Sequence, residues 1–511
     1  MELSKIIEYI EPLKVLNPKD VDIKGISYNS KTINSHEIFV CLKGEHVDGH
    51  DFAQAAFEKG AIAIMCEHPL NIEIPQLIVA STQEKIADLA DCFYRSPSKN
   101  LNLIGVTGTN GKTSVTHLIQ KILEHGRKKC AIIGTLGYKL STTGEYFEAK
   151  HTTPQAPELQ ATLDKMLQLE INNVVMEVSS HALDQHRVGK CVFKGGVFTN
   201  FTQDHLDYHI TMENYFQAKL KLFKELQAGS FAAEAGAHGA FAAEAGAHGA
   251  FAIVNNDDPA APRIVEAIVP DVKILTYGIK KEADIRATDV EFGANGANFK
   301  CTYALPDGTK QVLEIQLYLN GLFSVYNALC AISTCLMLGV SLDTCKEALE
   351  ETKGVAGRFE IINANPMVIV DYAHTPDGLD NILRAARELT PKNGELICLF
   401  GCGGDRDPTK RPKMGKIAQD LADKIVITSD NPRSEDPKQI VADILAGLKE
   451  INPKTVFVEL DRRSAIELLK KISCENDVII VAGKGHEDYQ ILSDRTIHFD
   501  DREEVAKVFG V

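Results

Sequence analysis

The sequence predicts an α/β protein whose parallel strands carry ligand-binding residues at their carboxyl ends. Six buried apolar runs each end in small, polar or charged residues: LNLIGV into TGTNGKTS, VVMEV into SSHALDQHR, MVIV into DYAHTPDG, LICLF into GCGGDRD, IVITS into DNPR, and VIIVA into GKGHED. Ligands of open α/β sheets bind beyond the carboxyl ends of the strands, so six such ends describe a nucleotide-dependent enzyme better than a binding module. Helical stripes alternate with these runs, and 511 residues is a length for about three domains.

Composition narrows the partners. With 44% apolar and 24% charged residues the chain is an ordinary globular one. A net charge of −15 argues against a nucleic-acid partner, which needs a basic footprint. Anionic substrates must then be met by local basic groups. The 12 cysteines form no CxxC pair and read as reduced cytosolic thiols. Charges interrupt MELSKIIEYI, so it is not a signal peptide, and no apolar stretch approaches the roughly 20 residues that span a membrane. The expectation is a soluble cytoplasmic protein without membrane insertion.

The domains are expected at 1–98, 99–354 and 355–511. The polar, proline-containing segment Arg95–Asn100 marks the first boundary and Gly354 to Gly357 the second. Two α/β-like units precede residue 98. In the middle region, Val115, Leu118, Ile119, Ile122 and Leu123 form the stripe of an amphipathic helix after the strand 101–106. A helix follows around YFQAKLKLFKEL, and a long one, NALCAISTCLMLG, ends at Gly339. From residue 355 strands and helices alternate as βαβ units over a parallel sheet. FAAEAGAHGA occurs identically at 231–240 and 241–250. Two short copies do not make a solenoid, so the segment reads as a surface insertion. Its His238 and His248 lack acidic or cysteine partners and make a poor metal site.

TGTNGKTS carries the strongest chemical signal. Glycines let backbone N–H groups face a phosphate, and the following helix N-terminus favours negative charge. Lys112 would reach the β- and γ-phosphates, and Thr113 would offer its hydroxyl to Mg²⁺. Val106 stands where the strict P-loop pattern has its first glycine, but the strand–loop–helix context is kept. Glu177 at a strand end could ligate Mg²⁺; the bland alternative is a buried, paired carboxylate. Gln185 and Arg187 look like ligand-reading groups. His205 and His209 stand four apart, but the Glu of a zinc protease is missing. His205 suits a metal, whereas His209 reads as structural. Arg406, Arg433 and Glu487 follow three strands, and such a set could hold a zwitterion, arginines on carboxylate and glutamate on ammonium.

TGTNGKTS, HTTP, EVSSHALDQHR, DHLDYH, YFQAKLKLF, GRFE, DYAHTPDGL, GCGGDRD, DNPR and GKGHEDYQ together resemble the Mur ligase family in order and spacing, over nearly the whole chain apart from the repeat. DNPR is similar to the signature of the subgroup that adds meso-2,6-diaminopimelate and not L-lysine. The resemblance implies an N-terminal UDP-binding domain, a central P-loop ATPase and a Rossmann-like C-terminal domain. It implies ATP-dependent amide ligation to UDP-MurNAc-L-Ala-D-Glu through an acyl phosphate, for peptidoglycan, by a monomer. Tyr28, Ser30, Glu45, His46 and Val47 would hold the uridine diphosphate. Thr152, Thr153, Ser179, Gln185 and Arg187 would hold the muramoyl-dipeptide. Gly108, Thr109, Asn110, Gly111, Lys112 and Thr113 would cradle ATP, with Asn327, Arg358 and Asp371 on other parts of the nucleotide. Thr113, Glu177, His205 and Lys219 would position Mg²⁺, Lys219 as a carbamate formed with CO₂. The catalytic set would be Lys112, Glu177, His205 and Lys219. Arg406, Asp430, Asn431, Pro432, Arg433, Gly483 and Glu487 would bind diaminopimelate. The alternatives are the same ligase acting on L-lysine and a non-catalytic nucleotide-binding relative. Retention of Lys112, Glu177, His205 and Lys219 together speaks against the latter.

Overall fold

The computed structural model describes residues 1–44, 47–148, 151–226, 249–293, 296–304 and 308–511. Glu45, His46, His238, His248 and all but the last two residues of the duplicated segment lie outside the described residues.

The first sheet contains β1 (Lys14–Leu16), β2 (Gly25–Ser27), β3 (Glu37–Val40), β4 (Ala63–Cys66) and β5 (Gln76–Ile78), in the order β1-β5-β4-β3-β2. Only β1 runs antiparallel to its neighbour. Ile38, Val40, Met65 and Leu77 bury one face against Leu3, Ile6 and Ile10 of one helix and Ile86 and Leu89 of another.

The central sheet contains β6 (Asn102–Thr107), β7 (Cys130–Gly134), β8 (Gly137–Lys139), β9 (Tyr146–Phe147), β10 (Asn173–Glu177), β11 (Gly195–Phe198), β12 (Phe251–Asn255), β13 (Lys273–Gly278), β14 (Ile285–Gly293), β15 (Gly296–Ala304) and β16 (Lys310–Leu317). Their order is β16-β15-β14-β13-β12-β11-β6-β10-β7-β8-β9. The strand leading into TGTNGKTS therefore lies between two parallel partners, β10 and β11. Being covered on both faces, it reads as an unbroken apolar run. The expected stripe, Val115 to Leu123, is buried on one face of the sheet by the helix Lys112–His125. The helix Leu322–Met337 packs on the same face and is apolar all round, as a core helix must be. It ends just before Gly339, whose φ of 76° supplies the left-handed stop. The helices Ala156–Gln168 and Met212–Lys224 cover the opposite face. At the two edges the sheet turns antiparallel, in the meander β14–β15–β16 and in β7–β8–β9.

The third sheet contains β17 (Glu360–Ala364), β18 (Met367–Asp371), β19 (Leu396–Phe400), β20 (Lys424–Ile427), β21 (Val456–Val458) and β22 (Val478–Ala482), ordered β17-β18-β22-β19-β20-β21. All neighbours are parallel except β17 with β18. The hairpin β23 (Tyr489–Ile491) and β24 (Thr496–His498) stands apart from it. The βαβ alternation thus describes five strands and leaves out an antiparallel edge and a hairpin.

One ion pair braces this sheet. Arg462 donates through Nε and Nη2 to the two carboxylate oxygens of Asp501, each at 2.7 Å, and both side chains are fully buried. Arg462 also donates to the carbonyls of Ser429 (3.3 Å) and Ala482 (2.9 Å), one residue before Asp430 and Gly483. The guanidinium therefore ties the last helix, Asp501–Phe509, to two strand ends. Arg462→Ala strands a buried carboxylate and is expected to destabilise the protein by roughly 3–5 kcal/mol, read from urea unfolding. Arg462→Met with Asp501→Leu is expected to cost less.

Candidate active site

The loop after β6 is fixed by close approach. Gly108 has φ 148°, and a Cβ there would stand 1.9 Å from Thr199 Oγ1. Gly111 has φ 86°, and its Cβ would meet Asn327 Oδ1 at 2.6 Å. Both positions exclude any larger residue, and the second sets Asn327 against the loop. The next strand end holds the backbone. Asn110 N donates to Asn200 Oδ1 (2.9 Å), Thr109 N donates to Asn200 O (2.9 Å), and Thr199 Oγ1 donates to Asn110 O (2.7 Å). The N-terminal N–H groups of the helix Lys112–His125 open onto this loop, the arrangement that binds phosphate.

Buried charge gathers around it. Glu177, at the end of β10, accepts from Thr113 Oγ1 (3.0 Å) and Thr135 N (2.9 Å) at Oε1 and from Thr135 Oγ1 (3.1 Å) at Oε2. Gly134 makes room, since a Cβ there would lie 2.2 Å from Oε1. Lys112 Nζ donates to the carbonyls of Gly108 and Thr109, both at 2.9 Å. Lys219, 3% exposed, donates to that same Gly108 carbonyl at 2.8 Å. Burial, then the Lys112 charge, push the Lys219 ammonium well below the usual lysine range, and burial lowers Lys112 too. Arg358 reaches in from the third sheet, where Nη2 donates to Thr113 Oγ1 (2.9 Å) and the guanidinium lies over the Tyr372 ring. Asp371 faces the same turn; its oxygens accept from the N–H groups of Phe359 and Ala373, each at 2.7 Å.

DHLDYH does not form one helix carrying both histidines. The helix is only Leu206–His209, and His205 precedes it with φ 54°. His209 is buried, with Nε2 3.0 Å from Ser180 Oγ, which is a structural placement. His205 lies 3.2 Å from Asp204, whose buried carboxylate also faces Lys410 (3.8 Å) and His374 (3.9 Å) of the third sheet's loops. Beyond His209 the chain turns sharply at Ile210. Its φ of 67° and ψ of −44°, with Thr211 N donating to His209 O at 2.7 Å, make a γ-turn of the strained hand. The Ile210 side chain is 71% exposed, so nothing it packs against offsets that strain.

The residues expected to read the dipeptide come together. Thr153 Oγ1 donates to Glu177 O (2.8 Å) and accepts from Ser179 N (3.0 Å). Arg187 donates to Thr153 O (3.0 Å) and through Nε and Nη2 to Gln185 Oε1 (3.0 and 2.6 Å). Thr152 Oγ1 lies 3.2 Å from Thr135 Oγ1. Tyr28 reaches them from the first sheet, its hydroxyl donating to Glu158 Oε1 at 2.5 Å. Ser30 offers its carbonyl to Lys59 Nζ (2.9 Å), and Val47 is exposed.

At the third sheet, Arg406, Arg433 and Glu487 follow β19, β20 and β22, which are neighbours. Arg433 Nη1 donates to Gly404 O at 2.7 Å, and Arg406 Nη1 to Asp405 O at 2.9 Å. Asn431 Nδ2 and Lys484 Nζ donate to Glu487 Oε2 (3.0 and 3.1 Å). Burial, then Asp430, raise the Glu487 carboxyl. Pro432 is buried, and Gly483 has φ 116° with its Cβ position 2.7 Å from Asp430 Oδ2.

Sequence reasoning passed over Thr135, Asn200, Asp204, Asp377, Lys410 and Lys484. Lys484 stood in plain view between two glycines after a strand, and Asp204 beside His205. The others are defined by where the fold brings them, which no local pattern announces.

Three Mur ligase descriptions match: the middle domain over residues 106–335, the glutamate ligase domain over 357–485, and the family's catalytic domain over 22–93. The chain is 44% identical to the UDP-N-acetylmuramoyl-L-alanyl-D-glutamate--2,6-diaminopimelate ligase of Bacillus velezensis, over 98% of each chain. It is 43% identical to the protein of that name from Bacillus licheniformis, over 99% of each. A solved structure of a ligase of the same name aligns with a TM-score of 0.64 at 29% identity, over 99% of this chain and 98% of that one. The chain belongs to the Mur ligase family.

Two measurements follow from the site. Burial holds His181 down to about 4 and His486 to about 3, against an ordinary 6.5. As pH falls from 6.5 towards 4, the unfolded chain takes up these protons and the folded one does not, so stability falls with pH. Each such proton is worth about 1.4 kcal/mol per pH unit, and urea midpoints at pH 7, 6 and 5 are expected to decline accordingly. Ile210→Gly relieves the γ-turn and is expected to raise stability by about 1 kcal/mol in the same titration.

Proposed function

We propose that this chain ligates meso-2,6-diaminopimelate to the D-Glu carboxylate of UDP-N-acetylmuramoyl-L-Ala-D-Glu, with ATP, in peptidoglycan precursor synthesis. The observation that carries the reading is full-length similarity to ligases of that name. In this reading the chain divides at 1–98, 99–354 and 355–511 into UDP-binding, ATP-binding and amino-acid-binding domains. It acts as a monomer in the cytoplasm. Free thiols among the described residues agree with a reducing compartment, and no described helix is long and apolar enough to cross a membrane.

Gly108 to Thr113 cradle the ATP phosphates, with Asn327, Arg358 and Asp371 around the nucleotide. Tyr28, Ser30, Glu45, His46 and Val47 hold the uridine diphosphate; Thr152, Thr153, Ser179, Gln185 and Arg187 hold the muramoyl-dipeptide. The buried Glu177 carboxylate beside the Thr113 hydroxyl is a hard-oxygen donor pair that would fit Mg²⁺, and His205 and a carbamate on Lys219 would be further ligands. When bound, the ion neutralises charge on the phosphates. Lys219 suits carbamylation because its depressed basicity leaves a neutral amine to add to CO₂, releasing one proton. That turns a buried cation into an anion.

The D-Glu carboxylate attacks the γ-phosphorus and ADP leaves, giving an acyl phosphate. Lys112 and the loop N–H groups hold the charge on the transferring group. The diaminopimelate amine then attacks the acyl carbon and phosphate leaves. Arg406, Asp430, Asn431, Pro432, Arg433, Gly483 and Glu487 orient that amino acid. Arg433 suits the second carboxylate that L-lysine lacks, and a site built to bind it rejects the shorter-charged analogue.

The test is phosphate release from ATP with the UDP-dipeptide, offering meso-diaminopimelate or L-lysine in CO₂-replete buffer. Turnover with diaminopimelate alone is the expected result; turnover with lysine alone overturns the amino-acid assignment, and silence with both overturns the ligase. Lys112→Ala is expected to lower kcat at least about 10²-fold. With ¹³C-bicarbonate, a carbamate carbon resonance is expected in the wild type and not in Lys219→Ala.

A further inference from the structure

The phosphate loop is bonded directly to the third sheet. Asn110 has its backbone fixed by Thr199 and Asn200, and its side chain leaves the central sheet altogether. Asn110 Nδ2 donates to Asp377 Oδ2 at 2.9 Å. Asp377 sits in the first turn of the helix Pro376–Leu389, after the N-cap Thr375, whose Oγ1 lies 3.5 Å from Asn110 Oδ1. Asn381, one turn on, donates to the same Asp377 oxygen at 3.2 Å and fixes its rotamer. That helix follows β18, which pairs in parallel with β22, the strand that leads into Gly483 and Glu487. A short chain of rigid pieces therefore runs from the phosphate loop to the residues that would hold the amino acid. A second seam lies alongside, where Gln203 Nε2 donates to Thr409 Oγ1 (2.9 Å) and Asp407 Oδ2 (3.2 Å).

We propose that Asp377 is a positioning residue that, through Asn110, sets the amino-acid-binding sheet in register with the phosphate loop, so that its loss uncouples ATP consumption from ligation. The inference rests on the ligase reading and deepens it. An acyl phosphate has two possible acceptors, the amine and water. The amine wins only if it is held near attack distance, and a misplacement of about 1 Å costs on the order of 10²-fold in rate. Asp377 bonds the loop residue Asn110 across the seam, so its removal acts on geometry between the sheets. Burial raises the Asp377 carboxyl, and the Asn110 bond, which favours the ionised form, works against that rise.

The experiment measures phosphate released and tripeptide formed in the same full-length samples. Wild type is expected to give a ratio of one. Asp377→Ala is expected to raise the ratio to at least about 3 and the KM for diaminopimelate at least about 5-fold, while ADP affinity by calorimetry stays within about 2-fold. Asp377→Asn, whose amide oxygen can still accept from Asn110, is expected to return the ratio towards one. Asn110→Ala reports from the other end of the bond should the aspartate variant fail to fold, and its ratio is expected to rise likewise. The double variant is expected to be no more uncoupled than the worse single, because both remove one contact. A ratio of one in both alanine variants overturns the proposal, as does a loss of ADP affinity in Asp377→Ala parallel to its loss of ligation. A wild type that turns over neither substrate overturns the ligase reading itself, a result distinct from coupled turnover in the variants.

Discussion

Two lysines, Lys219 buried and Lys112 half-buried, share one carbonyl oxygen, and much of the centre of this protein is arranged around that fact. Lys112 and Lys219 both donate to Gly108 O. Two ammonium ions there repel each other in a medium that screens poorly, so burial and the Lys112 charge drive Lys219 towards its neutral form. The carbonyl can serve both only if the loop backbone is immobile. Asn200 and Thr199 hold it from one side, and the absence of a Cβ at Gly108 lets Thr199 come close enough to do so. Glu177, fixed by three hydrogen bonds, faces the Lys112 charge, and Asp204 faces both lysines. Each of these contacts sits at the carboxyl end of a strand, where the sheet ends and helices begin.

The second organising feature is the seam between the central and third sheets. Arg358 on Thr113, Asp377 on Asn110, and Lys410 facing Asp204 all cross it. Each pair joins a polar group on one side to a complementary one on the other, and the Phe323 and Phe359 rings meet beside them. Polar seams of this kind open and close at modest cost, which suits chemistry that admits three substrates and then excludes water.

Much of this was legible in the chain. The strand into TGTNGKTS, the stripe from Val115 to Leu123 and the helix ending before Gly339 follow from apolar periodicity and glycine placement, which are local. Arg406, Arg433 and Glu487 were readable because each follows a buried run, and burial of a strand on both faces leaves a plain signature. The meander β14–β15–β16 was not, because its strands alternate half-buried positions and resemble loop in a single sequence. Nor did the spacing of His205 and His209 show that a left-handed residue would separate them into different environments. Asp377 and Lys410 escaped for a third reason: their partners lie hundreds of residues away, and nothing in a one-dimensional pattern marks a partner of that kind.

The Arg462–Asp501 pair has a consequence for how the molecule is made. Arg462 holds the carbonyls that precede Asp430 and Gly483, and Asp501 is the carboxylate bonded to it there. While the ribosome is still short of residue 501, that guanidinium lacks its bidentate carboxylate and has only the more distant Asp430 and Glu487 to face, so the strand ends it clamps are held less firmly. A nascent chain can thus complete the loop after β6 long before the strand ends at Asp430 and Gly483 are clamped.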